Sequence, residues 1–155
     1  MRRRLYYLDP MQDLTLAVQL FTLRDHCKTP EELATTCRRL ADQGWTAVQA
    51  SAVWMEDVKV VRQILDDTGL QCVATHIRPY EAAIERPEAV ADDLKTLGTD
   101  LTAVGGYFPK ADEYNETNWL KWIETFNDGV AKLAEHGIRF GYHNHSHEWA
   151  KLGGK

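Results

Sequence analysis

Apolar residues in this chain fall into short, nearly continuous runs, separated by longer stretches in which they recur every three or four positions. The alternation repeats four times. Leu14 to Leu23 (Leu-Thr-Leu-Ala-Val-Gln-Leu-Phe-Thr-Leu) is almost unbroken, and too short and β-rich for a free helix, so it predicts a buried parallel strand. Arg24 to Cys27 make a loop. Thr29-Pro30-Glu31-Glu32 then starts a helix, with Thr29 as N-cap, Pro30 at the first helical position and Glu32 completing a capping box. Leu33, Cys37 and Leu40 mark its apolar face, and Gly44 stops it after Gln43.

Trp45 to Ala50 predicts the second strand. Glu56 to Thr68 predicts a helix with Val58, Val61, Ile64 and Leu65 on one face, stopped by Gly69. In the third repeat Leu70 to Ile77 is the strand, Arg78 to Arg86 the loop and Pro87 to Leu97 the helix, before Gly98. In the fourth, Leu101 to Val104 is the strand and Gly105 to Glu116 a longer loop. Thr117 or Asn118 caps a helix through Trp119, Trp122, Ile123, Phe126, Val130 and Leu133 to Gly137, and Ile138 to His143 opens a fifth strand.

Four strand-loop-helix-glycine repeats near the ~30-residue length of a βαβ unit imply a parallel α/β sheet with right-handed crossovers. Two architectures satisfy this: a five-stranded flavodoxin-like sheet, or the first part of a (β/α)8 barrel. The segment Ser146 to Lys155 is too short for the closing helix of a flavodoxin-like domain and ends in Gly153-Gly154. Leu23-Arg24-Asp25-His26 is no glycine-rich phosphate cradle either. The expectation is an incomplete (β/α)8 TIM barrel, α/β with about five strands and four helices, occupying residues 14–155 behind a loosely ordered leader, 1–13.

Composition narrows the class without naming a chemistry. At 155 residues the chain holds one domain with a sizeable core, and 18 basic against 23 acidic residues argue against an electrostatic nucleic-acid binder. Cys27, Cys37 and Cys72 are odd in number and widely spaced, so neither a disulfide framework nor a zinc knuckle is expected, which fits a reducing compartment. Arg2-Arg3-Arg4 and the apolar residues behind it are interrupted by Asp9, Pro10 and Asp13, far short of a signal peptide, and no run approaches a membrane helix. A cytoplasmic protein with no membrane partner is the expectation.

The chemistry-bearing stretch is Gly141-Tyr142-His143-Asn144-His145-Ser146-His147-Glu148-Trp149. If the strand stays extended, His143, His145 and His147 share one side, at the C-terminal edge where parallel α/β sheets bind ligands. His76 ends the third strand at the same edge. Gln19 and Gln49 are amides within apolar strands, and burying them without partners would cost about 2–7 kcal/mol, so they read first as interior hydrogen-bonders. Arg24 and Asp25 are expected to pair with each other. Tyr107, Phe108, Trp54, Trp119, Trp122 and Phe126 read as packing, and Asp112, Glu113 and Glu116 as a solvated loop and helix start.

Val18-Gln19-Leu20-Phe21-Thr22-Leu23-Arg24-Asp25 resembles the first-strand signature of the xylose-isomerase-like TIM barrels, the sugar phosphate isomerase/epimerase superfamily. Tyr142-His143-Asn144-His145-Ser146-His147-Glu148-Trp149 resembles that group's fifth-strand motif "YHNHxxEF", and Ala74-Thr75-His76 and Gly105-Gly106-Tyr107 fall between them in the family's order. The resemblance implies a barrel whose mouth holds a divalent metal (Mn, Mg, Co, Fe or Zn). It also implies proton transfer next to the carbonyl of a small-molecule sugar, keto-sugar or sugar phosphate. It assigns Glu148 and His143 as catalytic and metal-binding, with His76, His145 and Gln19 against the substrate. His147 occupies a variable position and is expected at the surface.

The family draws its other ligands from strands after the fifth, so at most one ligand or base is expected here, and the chain is expected to be a barrel fragment. Its open flanks make a homodimer reasonable. An inactive barrel or interaction module and a flavodoxin-like binding domain are the alternatives.

Overall fold

The computed structural model describes residues 15–151. The leader 1–13, with Leu14 and Gly153-Gly154, lies outside the described residues. One sheet contains β1 (Val18–Gln19), β2 (Ala47–Ala50), β3 (Gln71–Ile77), β4 (Leu101–Val104) and β5 (Arg139–Tyr142). All pairings are parallel and the spatial order is the sequence order, β1-β2-β3-β4-β5. A flavodoxin-like domain would place the first strand between the second and third. The strand order therefore overturns that alternative and leaves the sheet of an incomplete barrel.

Helices α1 (Pro30–Asp42), α2 (Val58–Thr68), α4 (Pro87–Leu97) and α5 (Glu116–Glu135) are the four expected crossovers, and α3 (Ala82–Glu85) adds a turn of helix inside the predicted loop before α4. Their starts show how local the code is. Thr29 Oγ1 accepts from the Glu32 N–H at 3.2 Å with Pro30 in the first turn, as expected, but the Glu32 carboxylate reaches the Lys28 N–H at 2.9 Å rather than that of Thr29. α2 begins two residues later than predicted because Asp57 caps the N–H of Lys59. α5 is capped by Asn115, whose amide oxygen accepts from the Asn118 N–H, rather than by Thr117 or Asn118. Gly69, at φ +70°, makes the left-handed turn that ends α2.

The first strand is the main local departure. Only Val18 and Gln19 pair with β2; Leu20–His26 winds into a 3-10 helix. In an extended strand Phe21 and Leu23 would need a second buried face. Here Leu20 is buried and Phe21 stays partly exposed. The turn closes its own backbone: the Thr22 hydroxyl donates to the Gln19 carbonyl at 2.8 Å, and Arg24 donates to the Phe21 carbonyl at 2.9 Å while lying over the Phe21 ring. Asp25 pairs with Lys28 at 2.9 Å, not with Arg24 as expected.

Register partners in a parallel sheet share a face. Val48, Ala50, Thr75, Thr102 and Phe140 are buried against the helices, where the apolar core forms two clusters that divide near β3. On the other face Gln19 aligns with Gln49, His76 with Ala103, and Ala103 with Gly141, and all five are only partly buried. This half-covered inner face leads to the strand C-terminal edge. Cys27, Cys37 and Cys72 are free and buried on the helix side. No helix among the described residues is long and apolar enough to cross a membrane.

Candidate functional site

His76 stands on the inner face near the end of β3. The Gln49 side-chain amide donates to its Nε2 at 3.0 Å, which leaves the ring proton on Nδ1. Gln49 is thus the interior hydrogen-bonder expected, acting across one strand spacing. A Cβ at Gly105 would come within 3.2 Å of His76 Nδ1, so the bare backbone there admits the ring. Burial, reinforced by the neighbouring His143, Arg78 and His145, pulls the imidazole pKa down from 6.5 to about 4. His76 is therefore a neutral ring at physiological pH.

β5 ends at Tyr142, one residue short of the predicted boundary, and the chain then turns instead of staying extended. A 3-10 turn, His147–Trp149, follows. The histidines nevertheless form a row: His76 to His143 at 5.1 Å between ring centroids, His143 to His145 at 4.9 Å and His145 to His147 at 5.7 Å. A turn rather than strand alternation makes the row, and it carries Glu148 back toward the sheet.

Glu148 is the most constrained of these groups. One carboxylate oxygen accepts from the Tyr142 hydroxyl and the other from the His145 backbone N–H at 2.7 Å. Burial raises the carboxyl pKa, but the Tyr142 hydroxyl, the backbone N–H groups and His147 together hold it below the usual carboxylate range. The Tyr142 phenol moves the other way, pushed up by burial and by the carboxylate it serves. Tyr142 also accepts from the Tyr107 N–H at 3.3 Å, so the loop between β4 and α5 reaches Glu148 through one phenol.

The structure overturns the surface placement of His147. Its side chain is 25% exposed, its Nε2–H donates to the Tyr107 carbonyl at 2.9 Å, and its own carbonyl accepts from the Tyr114 hydroxyl. Tyr107 stacks on Trp122 at 4.9 Å, and Trp119 lies edge-on to Tyr107 at 5.0 Å, as packing residues should. Phe108 is exposed and leans on His147 at 4.8 Å and on His145 at 5.2 Å.

His145, His147 and Glu148 each present a ligand atom, all within 4.8 Å of one another. Against the expectation of at most one ligand in this chain, three possible donor groups lie together within four residues. Two imidazoles and a carboxylate suit a divalent transition metal. His143 lies one ring further along, between His145 and His76, and Gln19 lies two strands from His76 on the inner face. Tyr142, Tyr107 and Tyr114 acquire partners that no spacing rule indicates, because their contacts run between two loops.

The fold of this parallel sheet and its helices is shared with solved structures. A sugar phosphate isomerase/epimerase from Parabacteroides distasonis superposes with a TM-score of 0.70 at 21% identity, over 88% of this chain and 53% of that one. The fold is that of an incomplete TIM barrel. A xylose-isomerase-like TIM barrel protein, from Mycobacterium smegmatis and in complex with magnesium, gives a TM-score of 0.63 at 11% identity, over 84% of this chain and 55% of that one. A family 2 AP endonuclease from Brucella melitensis gives 0.52 at 20%, over 81% and 53%. The chain spans about half the length of the TIM barrels it matches. No family model matches the sequence, and no curated protein sequence matches it.

Proposed function

We propose that the edge formed by β3, β5 and the loop after it serves metal-assisted proton transfer on a carbon next to the carbonyl of a sugar, keto-sugar or sugar phosphate, the reaction class of isomerases and epimerases. The observation that carries this is the convergence of Glu148, His145 and His147 beside the His143–His76 pair at the C-terminal edge of a barrel-type sheet. A divalent ion bound there would withdraw electron density from the carbonyl and so make the adjacent proton labile.

The chain's own groups divide the work. Glu148, fixed by two hydrogen bonds and held ionised, is suited to ligation and is a weak base. His143 stands between His145 and His76, and this place favours it as the group that moves the proton. His76, kept neutral and oriented by Gln49, presents its Nδ1–H as a donor for a sugar oxygen; His145 and Gln19 supply further polar contacts. Ala103 and Gly141 leave the inner wall between them nearly free of side chains, which gives a small polyol room to approach.

The test is solvent-deuterium incorporation, read by NMR, when the chain is incubated with divalent metals and a panel of aldoses, ketoses and their phosphates. Incorporation that Glu148→Gln and His143→Ala both abolish supports the proposal. No incorporation into any member of the panel refutes it, and favours a barrel that has kept the fold without the chemistry.

A further inference from the structure

We infer that His145, His147 and Glu148 form a self-contained site for a borderline transition-metal ion of the zinc, cobalt and nickel class, in preference to magnesium. The inference rests on the reading that this edge holds a divalent ion, but not on the sugar chemistry.

Donor chemistry comes first. Two imidazole nitrogens and one carboxylate oxygen match the borderline first-row ions, whereas magnesium prefers six oxygen donors and keeps several waters. Spacing agrees. His147 Nε2 lies 3.3 Å and His145 Nδ1 3.8 Å from the same oxygen of Glu148. A four-coordinate ion with bonds of ~2.0–2.1 Å needs its donors roughly 3.3–3.4 Å apart. Loading therefore draws His145 Nδ1 closer to Glu148 and, by rotation of the two side chains, closes the His145 and His147 donor atoms from within 4.8 Å to that spacing.

The supporting contacts are already made. The Tyr142 hydroxyl and the His145 N–H hold the two carboxylate oxygens, and the Tyr114 hydroxyl holds the His147 carbonyl. Hydrogen bonds of this kind around ligands fix their orientation. The His145 side chain is 39% exposed, so the cluster opens outward and leaves an approach for a further ligand. One interaction opposes loading: His147 Nε2 also donates to the Tyr107 carbonyl, and an ion at that nitrogen must displace this bond. All three ligands come from one four-residue segment, in which the Trp149 N–H bonds to the Ser146 carbonyl and the Ala150 N–H to that of His147, so the site is complete within a single turn.

The decisive experiment titrates the chelator-treated full chain with cobalt(II) and follows the visible ligand-field bands, with competition by zinc and by magnesium. Wild type is expected to develop the intense bands of a low-coordinate nitrogen-oxygen site, lost to equimolar zinc and retained in excess magnesium. Glu148→Gln, His145→Ala and His147→Gln should each weaken cobalt binding by about tenfold or more, while His143→Ala and His26→Ala stay within about twofold of wild type. His147→Gln keeps a donor for the Tyr107 carbonyl, which separates ligation from packing, and far-UV circular dichroism checks each variant; His145→Gln replaces His145→Ala should that variant unfold. Unchanged binding in His147→Gln together with loss in His143→Ala would overturn this ligand set while leaving a metal at the edge. Displacement of cobalt by equimolar magnesium would overturn the metal class. Absence of any cobalt binding in wild type would remove both the inference and the reading beneath it.

Discussion

Acidification should destabilise the fold through His76, and the size of the effect can be worked out in advance. The ring is partly buried, accepts the Gln49 amide N–H at Nε2, and has its pKa lowered from 6.5 to about 4 by burial first and by His143, Arg78 and His145 next. Protonating Nε2 would turn the acceptor into a donor facing a donor, which points the same way. Because the folded pKa is below the unfolded one, the unfolded chain binds more protons between them, so stability is full above about pH 6.5 and falls as the pH drops toward 4. With these two pKa values the loss between pH 7 and 4.5 would be about 2.4 kcal/mol for a fully shielded ring, and solvent screening of a half-exposed one reduces it to about 1 kcal/mol. Urea denaturation of wild type and His76→Gln across that range isolates the term, since every other titrating group is common to both. The wild type should lose about 1 kcal/mol more than the variant over the interval. Parallel stability-pH curves would refute the reasoning, and a steeper curve for the variant would reverse its sign.

Other consequences follow from the same geometry. Tyr142→Phe removes the hydroxyl that holds Glu148, so the Glu148 carboxyl pKa should rise toward its ordinary value in a carbon-13 NMR titration, and cobalt affinity should fall about tenfold. The Thr75 and Thr102 hydroxyls meet at 2.7 Å in the buried layer; Thr102→Val leaves Thr75 short of a partner and should cost about 1–3 kcal/mol by urea denaturation. Leu133→Ala, at a fully buried position under β5, should cost about 2–5 kcal/mol in the same assay. Gly106 sits at φ +122° with the Phe108 ring 2.6 Å from where a Cβ would be, so Gly106→Ala should displace Phe108 and His145 and shift the histidine ring signals by NMR; an unchanged spectrum would count against the described loop. A homodimer covering the open flanks of β1 and β5 predicts twice the chain mass by light scattering, and a monodisperse monomer would dismiss it.

Much of the fold can be read along the chain. Pro30 and Pro87 in first turns, Thr29 as a cap and Gly44, Gly69, Gly98 and Gly137 at positive φ are local instructions, satisfied within a few residues of where they are written. The apolar runs of β2, β3 and β4 are equally direct, because the face that each packs against the helices can carry few polar side chains. Leu14 to Leu23 misleads for a related reason. An apolar run states that burial is available without stating on how many sides, and here Leu20 takes the buried position while Thr22 and Arg24 bond back to the Gln19 and Phe21 carbonyls.

The candidate site divides along the same line. Its residue types, and its place at the end of the fifth strand, follow from sequence alone, since a parallel strand delivers the chain to the C-terminal edge wherever its neighbours lie. The grouping does not. His147 is held by Tyr107, 40 positions away, and Tyr142 reaches Glu148 only because the chain turns after β5. Strand order belongs to the structure as well: both a flavodoxin-like sheet and a barrel repeat the same strand and helix pattern, and only the pairing of β1 with β2 and β2 with β3 distinguishes them. Capping, glycine stops and periodicity act over a single turn or strand and are therefore legible in order along the chain. Hydrogen bonds between loops and the lateral pairing of strands join residues far apart in sequence, and their partners are chosen only when the sheet assembles.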